Sequence, residues 1–331
     1  MNAVHSLPVV DVAAVGDAAE AAQAEQLDLA CRHVGLFEVV GHGIPREDVV
    51  ELFRLTREFF ALPAVEKAAV AQPAPDQVRG WSPAGSEGIA YSLDEESPAD
   101  LKEKLDMGRP HVDAADPYYD PARSGPHLAP NLWPVRPREL RPAWEGYWQH
   151  LDRVCAILMR LTALSFELPD TWFADKIDRS ISMLRALHYP HQHEPPLAGQ
   201  LRAGAHTDYG AFTVVTGEDA PGGLQVLERD GGWVSVTTTP GRLVVGVGDL
   251  LAEWTADVWP ATLHRVVNPP RGLASDASRL AFAFYQHPNY DVEVDVLPSL
   301  LSHDRAAAAP RLTAGDHLRH KYVRQTTFGR A

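Results

Sequence analysis

Cysteine is almost absent from this 331-residue chain: Cys31 and Cys155 are the only two. Each sits in an apolar stretch of helical character, so buried free thiols are expected rather than a disulfide scaffold. No run of about 18 apolar residues occurs, which leaves no candidate for a membrane-spanning helix. The N-terminus also lacks the basic segment and apolar core of a secretion signal. Both absences point to a cytoplasmic protein. Positive charge is scarce as well, with 30 Lys and Arg against 44 Asp and Glu and a formal net charge of -14. No Lys/Arg cluster dense enough to neutralise phosphates is visible, so a nucleic-acid partner is not expected. Internal repeats are missing, and no segment demands an obligate protein partner. The remaining composition, 45% hydrophobic and 22% charged, is that of a globular protein long enough to bury a sizeable core.

Local patterns divide the chain. Residues 7–12 read as a short strand, 17–34 as a helix, 36–40 as a strand and 47–61 as a second helix, with Gly41, Gly43 and Pro45 breaking the last two apart. Residues 72–100 hold Pro73, Pro75, Pro83, Pro98, Gly80, Gly85 and Gly88, a long loop of the kind that roofs a site. Between 139 and 167, Leu140, Trp144, Tyr147, Leu151, Val154, Leu158, Leu161 and Leu164 recur at helical spacing and predict a long amphipathic helix. From Ile181 onward the texture changes to short β-branched and aromatic runs: 181–189, 211–216, 223–228, 233–238, 242–247, 263–267 and 279–287. Strands of that length suit a double-sheet jelly roll, with the long helix as its backing. A helix over 311–325 closes the chain. The nominal divisions fall at 1–130, 131–175, 176–300 and 301–331, within one continuous structure.

The chemistry concentrates in the strand-rich part. His206 and Asp208 lie two residues apart on extended backbone, so their side chains point the same way. His264 follows 56 residues after Asp208. Two imidazoles and a carboxylate on one face of an octahedral ion leave three positions open, an arrangement suited to non-haem Fe(II) and its reaction with O2; zinc-dependent hydrolysis is the chemical competitor. His191 and His193 also have ligand spacing, but Pro190, Pro195 and Pro196 place them in a loop, facing solvent or a substrate entrance. In the run 279–287, Arg279, Ala281, Ala283 and Tyr285 share one face, and Leu280, Phe282 and Phe284 share the other. An arginine inside a barrel requires a carboxylate, from the protein or from a ligand. In 181–189, Met183, Arg185, Leu187 and Tyr189 share a face. Arg185 there either meets an acidic group of the substrate or stands at an exposed strand end.

These landmarks follow an order that resembles the isopenicillin N synthase-like family of Fe(II)- and 2-oxoglutarate-dependent oxygenases. The segment from Cys31 to Pro45, with Gly35-Leu36-Phe37 and Gly41-His42-Gly43-Ile44-Pro45, is similar to that family's "GFF-hydrophobic-NHGIP" stretch. Arg79-Gly80-Trp81, the residues from Lys102 to Gly108, Asn131-Leu132-Trp133-Pro134, Leu187-His188-Tyr189-Pro190, the His206/Asp208 pair, Gly248-Asp249-Leu250-Leu251, His264-Arg265-Val266 and Arg279 then appear in register along most of the chain. The resemblance implies a mainly-β fold with flanking helices around a double-stranded β-helix, the cupin-like jelly roll. It implies Fe(II) on His206, Asp208 and His264, 2-oxoglutarate as cosubstrate, and O2 as oxidant. Arg279 would bind the distal carboxylate of 2-oxoglutarate, with a tyrosine at the Tyr189 position bonding the same group.

Where the family has a serine two residues after that arginine, this chain has Ala281. One hydroxyl is missing, a loss of about 1 kcal/mol or somewhat more. The departure keeps open a 2-oxoglutarate-independent oxidase like isopenicillin N synthase itself; a catalytically silent jelly-roll binding protein would not need three convergent ligands. The implied reaction is hydroxylation, desaturation or ring closure of a small-molecule substrate. Substrate contacts are expected from the loop roof at Arg79, Trp81 and Tyr91, and from Arg185. Heavy use of Ala, Arg and Pro suggests a GC-rich bacterial source, where the family often serves natural-product tailoring such as antibiotic biosynthesis.

Overall fold

The structure, a computed structural model, describes residues 7–13, 17–33, 35–113, 115–228, 231–301 and 312–329. The expected element ends at residues 34 and 311 lie outside them. Twelve strands form two sheets among these residues. In chain order they are β1 (Val9–Asp11), β2 (Leu36–Val40), β3 (Gly80–Ser82), β4 (Glu103–Met107), β5 (Met183–Tyr189), β6 (Ala203–His206), β7 (Phe212–Gly217), β8 (Leu224–Leu227), β9 (Trp233–Ser235), β10 (Leu243–Val247), β11 (His264–Val266) and β12 (Arg279–Gln286). The large sheet runs β1-β2-β10-β7-β12-β5-β4-β3 and the small one β6-β11-β8-β9. One cavity is lined from both sheets, by β5, β7 and β12 on one side and β6, β8 and β11 on the other. That is the jelly-roll arrangement, and it leaves the site between the layers.

The two faces of β12 show how the sequence builds this. Leu280, Phe282 and Phe284 are at most 1% exposed and point away from the cavity. They meet the helix Leu140–Ser165, whose Trp144 and Tyr147 pack edge-on against Phe282 at 5.7 and 6.3 Å, and whose Trp148 packs against Phe284 at 5.6 Å. Burying each such ring stabilises the fold by roughly 1.5–3 kcal/mol. The helix Arg46–Phe60 packs beside it, and its Thr56 hydroxyl accepts the Trp144 indole N–H at 2.9 Å. Arg279, Ala281, Ala283 and Tyr285 take the opposite face and line the cavity. β1 pairs with β2 and β2 with β10, so the N-terminal region and the barrel share a sheet.

Three strands and several short helices stand beyond the sequence expectation. β3, β6 and the helix Asp249–Trp254 are only three to six residues long, too short for a periodic signal. β4 was hidden by its composition. All five of its residues are buried, three of them charged, and each charge is matched by a partner from another segment. Cys31 and Cys155 are buried free thiols, and burial pushes both well above their ordinary values. Among the described residues no helix is long and apolar enough to cross a membrane.

Candidate active site

His206 ends β6 and His264 begins β11, and the antiparallel register sets them directly opposite one another. Asp208 follows two residues later in a turn that the chain pins in place. The Asp249 backbone N–H donates to the Asp208 carbonyl at 2.8 Å, and Leu250 N–H donates to the Gly210 carbonyl at 2.9 Å. Gly248 makes the crossing possible: a Cβ there would lie 2.5 Å from the Gly210 carbonyl oxygen and 2.9 Å from that of Asp208. The Gly-Asp pair of the sequence motif thus fixes the carboxylate from below. The C-terminal helix Ala314–Thr326 holds the same corner through Lys321 on Asp249 at 3.1 Å and Gln325 accepting the Tyr209 hydroxyl at 2.7 Å.

The three side chains converge. His206 Nε2 is 3.7 Å from Asp208 Oδ1, His264 Nε2 is 3.6 Å from Asp208 Oδ2, and all three ligand atoms lie within 4.8 Å of one another. Each imidazole donates Nδ1–H to a carbonyl two residues earlier, Gly204 at 2.8 Å and Thr262 at 2.9 Å. That bond fixes the tautomer and turns the Nε2 lone pair inward, as metal-bound histidines require. Burial, with His264 alongside, holds His206 well below its ordinary value and therefore neutral. Burial raises the Asp208 carboxyl, with His264 pulling the other way. Two imidazoles and one carboxylate, aimed at one point with a cavity beyond, fit a divalent ion that keeps open positions.

The cavity holds about 520 Å3 including its mouth. Its apolar wall is Ile89, Leu187, Ala203, Val215, Leu224, Val266 and Ala283. At one end lies Arg279, 3% exposed, opposite Tyr189 in the β5–β12 register, with its guanidinium carbon 5.7 Å from the tyrosine ring centre. Its Nε donates to the Glu218 carbonyl at 3.0 Å and its Nη2 to the Thr238 hydroxyl at 2.7 Å. Among the described residues no carboxylate pairs with it, and burial lowers it from its ordinary value.

Arg185 lines the cavity near Asp208 and has a different setting. It is buried, not at an exposed strand end, and its Nε donates to Asp106 Oδ1 at 2.6 Å and its Nη2 to Oδ2 at 3.3 Å. Asp106 belongs to a buried array in which Lys104 contacts Asp106 and Glu87, and Lys102 contacts Glu87 and Asp100. Three cations meet three carboxylates there. The acid expected from a substrate is therefore already supplied to Arg185 by the protein.

The roof contacts also differ from expectation. Arg79 turns away from the cavity and spends its donors on the carbonyls of Ala129, Val78 and His127. Trp81 donates to Glu103 at 2.8 Å on the far side of β4, and Tyr91 packs edge-on against Phe328 at 5.7 Å. From that stretch Ile89 reaches the cavity instead, with Lys102 just beyond its end. His191 and His193 are exposed in their loop, ring centres 6.2 Å apart. Thr238 escaped sequence reasoning: one hydroxyl in a run of three threonines carries no pattern of its own.

A jelly roll with an open two-histidine, one-carboxylate centre between its sheets defines the class of mononuclear non-haem oxygenases. Comparison with known proteins narrows this. Residues 7–136 match the family described as non-haem dioxygenase in morphine synthesis N-terminal, and residues 180–288 match the 2OG-Fe(II) oxygenase superfamily. The chain is 32% identical to proline hydroxylase buaE of Petromyces alliaceus over 88% of its own length and 89% of that protein. It is 29% identical to validamycin A dioxygenase of Streptomyces hygroscopicus subsp. limoneus, covering 97% and 87% of the two chains. The crystal structure of a full-length Neurospora crassa protein in complex with alpha-KG superposes with a TM-score of 0.80 at 25% identity, covering 96% of this chain and 95% of that one. The chain belongs to the isopenicillin N synthase-like family of 2OG-Fe(II) oxygenases and is an Fe(II)- and 2-oxoglutarate-dependent dioxygenase.

Proposed function

We propose that His206, Asp208 and His264 hold the Fe(II), that Arg279 with Tyr189 binds the distal carboxylate of 2-oxoglutarate, and that the enzyme hydroxylates a small molecule in bacterial natural-product biosynthesis. The observation that carries this reading is the pairing of two features in one cavity: three inward ligand atoms within 4.8 Å of each other, and a buried arginine with which no carboxylate pairs among the described residues. Bound iron with 2-oxoglutarate and O2 would supply the oxidising chemistry, one oxygen atom going to the keto acid as it is consumed to succinate and CO2. The protein's own part is positional. The Nδ1–H bonds of both histidines hold their rings against rotation, and Arg279 places the cosubstrate by its far end. The apolar wall keeps water from the reacting centre.

The small-molecule substrate is supported by the relatives' names, a proline hydroxylase and a validamycin A dioxygenase. Natural-product tailoring is supported by the second of these, together with the Ala-, Arg- and Pro-rich composition. His206→Ala, Asp208→Ala and His264→Ala are each expected to lose stoichiometric iron and abolish 2-oxoglutarate-dependent O2 uptake while the circular dichroism spectrum stays unchanged. A variant that keeps both iron and turnover would remove its residue from the triad. O2 uptake at full rate without 2-oxoglutarate would return the 2-oxoglutarate-independent oxidase reading.

A further inference from the structure

The sequence poses a question at Ala281, where the resembled family has a hydroxyl beside its carboxylate-binding arginine. The structure puts a different hydroxyl at that arginine. Thr238 is 2% exposed, and its Oγ1 accepts from Arg279 Nη2 at 2.7 Å. We propose that Thr238 is the positioning residue of the cosubstrate site, supplying from the β9–β10 connection the hydroxyl that position 281 lacks. This rests on the reading of Arg279 as the carboxylate anchor.

The guanidinium has five N–H donors in a rigid plane. Nε and one N–H of Nη2 form its side edge, and both are taken, by the Glu218 carbonyl and by Thr238. Three N–H groups remain, and two of them, one on Nη1 and the second on Nη2, form the end edge, parallel donors of the spacing a carboxylate accepts. Arg79 and Arg202, also buried with no carboxylate paired to them among the described residues, differ in this respect. Arg79 uses all three nitrogens on carbonyls, and Arg202 uses both terminal nitrogens on the carbonyls of Pro221, Gly222 and Ala277. Of the three, Arg279 alone keeps its end edge.

Thr238 can serve as a fixed point because its own backbone is held. Arg242 N–H closes a turn on the Thr239 carbonyl at 3.0 Å, with Pro240 and Gly241 at its corners and Gly241 at φ +87°, the signature of a type II turn. The Thr216 hydroxyl then bonds that turn to β7, donating to the Thr239 carbonyl at 3.0 Å and accepting from Gly241 N–H at 3.1 Å. Gly217 leaves the space in which the groups meet. A Cβ on it would lie 3.0 Å from the Ala281 Cβ and 3.1 Å from both Arg279 Nη2 and Thr238 Oγ1. These three atoms crowd one bare Cα, so the threonine hydroxyl stands beside position 281 as well as against the guanidinium. Glu218 fixes the other bond, since its backbone N–H and carboxylate both bond Leu280, next to Arg279 in β12.

The test is anaerobic titration of the Fe(II)-loaded enzyme with 2-oxoglutarate, followed by calorimetry and by the visible band of the complex. Thr238→Val keeps the shape and removes the acceptor. It is expected to raise the 2-oxoglutarate dissociation constant about tenfold, with kcat at saturating 2-oxoglutarate near the parent value. Thr238→Ser restores the hydroxyl and is expected to bind within about twofold of the parent. Gly217→Ala removes no hydrogen-bonding atom but crowds Nη2 and Oγ1, and it is expected to weaken binding in the same direction. Parent-like affinity in a folded Thr238→Val enzyme would overturn the proposal, as would a Thr238→Ser enzyme as weak as Thr238→Val. Parent-like affinity in Arg279→Leu would instead overturn the anchor reading on which it rests.

Discussion

Two buried arginines, Arg185 and Arg279, look into one cavity from neighbouring strands of the same sheet, and they differ in what the protein has given them. Arg185 has Asp106 at 2.6 Å, within an array of three cations and three carboxylates. Arg279 has a carbonyl and a hydroxyl. Burial opposes both charges, yet Arg185 is held well above its ordinary value by Asp106 while Arg279 is pushed below it. A buried cation already neutralised belongs to the architecture of the wall. One left without an acid is a charge whose partner arrives with the ligand.

The largest expected effect separates the two by stability. Arg185→Leu leaves Asp106 buried beside a smaller positive charge and should cost about 3–5 kcal/mol of unfolding free energy, read by urea denaturation. Asp106→Asn should cost a similar amount from the other side. Arg279→Leu in the ligand-free protein should stay within about 1 kcal/mol of the parent, because it removes hydrogen bonds but also an uncompensated charge. A large loss in Arg279→Leu and none in Arg185→Leu would invert the comparison.

A buried histidine just past the end of β12 sharpens it. His287 is 1% exposed, stacks on Tyr285 at 6.4 Å, and no carboxylate among the described residues pairs with it; burial, then the nearby His127, His317 and Arg185, lower it to about 3. An unfolded histidine takes up its proton near 6.5, whereas the folded one waits until about 3. The unfolded state therefore holds the extra proton between those values, and stability falls as pH drops through that window. His287→Phe should flatten the pH dependence of unfolding over that range. An unchanged slope would mean that His287 is already charged in the fold.

How much of this was legible depended on distance along the chain. The His206/Asp208 spacing and the face alternation of β5 and β12 are local, and they read directly: Arg185, Leu187 and Tyr189, with Arg279, Ala281, Ala283 and Tyr285, all line the cavity. β4 was illegible as a strand because three of its five residues, Glu103, Lys104 and Asp106, are charged, and nothing local announces that they are buried. Their partners Lys67, Glu87, His188 and Arg185 lie 17 to 85 residues away. The loop roof was visible in its prolines and glycines, but not the direction its side chains take. Arg79 went to carbonyls at 127 and 129 that only the fold brings near. Thr238 meets Arg279 across 41 residues, and nothing in a threonine run announces it.

A smaller effect is expected at position 281. With the Thr238 hydroxyl already on the guanidinium, Ala281→Ser should tighten 2-oxoglutarate binding by less than about threefold. In the Thr238→Val background the same serine should recover more of the lost affinity than it adds to the parent, a coupling that a double-mutant cycle measures. Strict additivity would separate the two hydroxyls and weaken the kinship between them.

The central claim is that the acid missing from Arg279 is the distal carboxylate of 2-oxoglutarate. Its most direct test is anaerobic titration of Fe(II)-loaded parent and Arg279→Leu enzymes with 2-oxoglutarate, read by the visible band of the chelated keto acid. The parent should saturate, and Arg279→Leu should need on the order of a hundredfold more ligand, the equivalent of about 3 kcal/mol. Superimposable titration curves for the two proteins would contradict the account and assign Arg279 to another ligand.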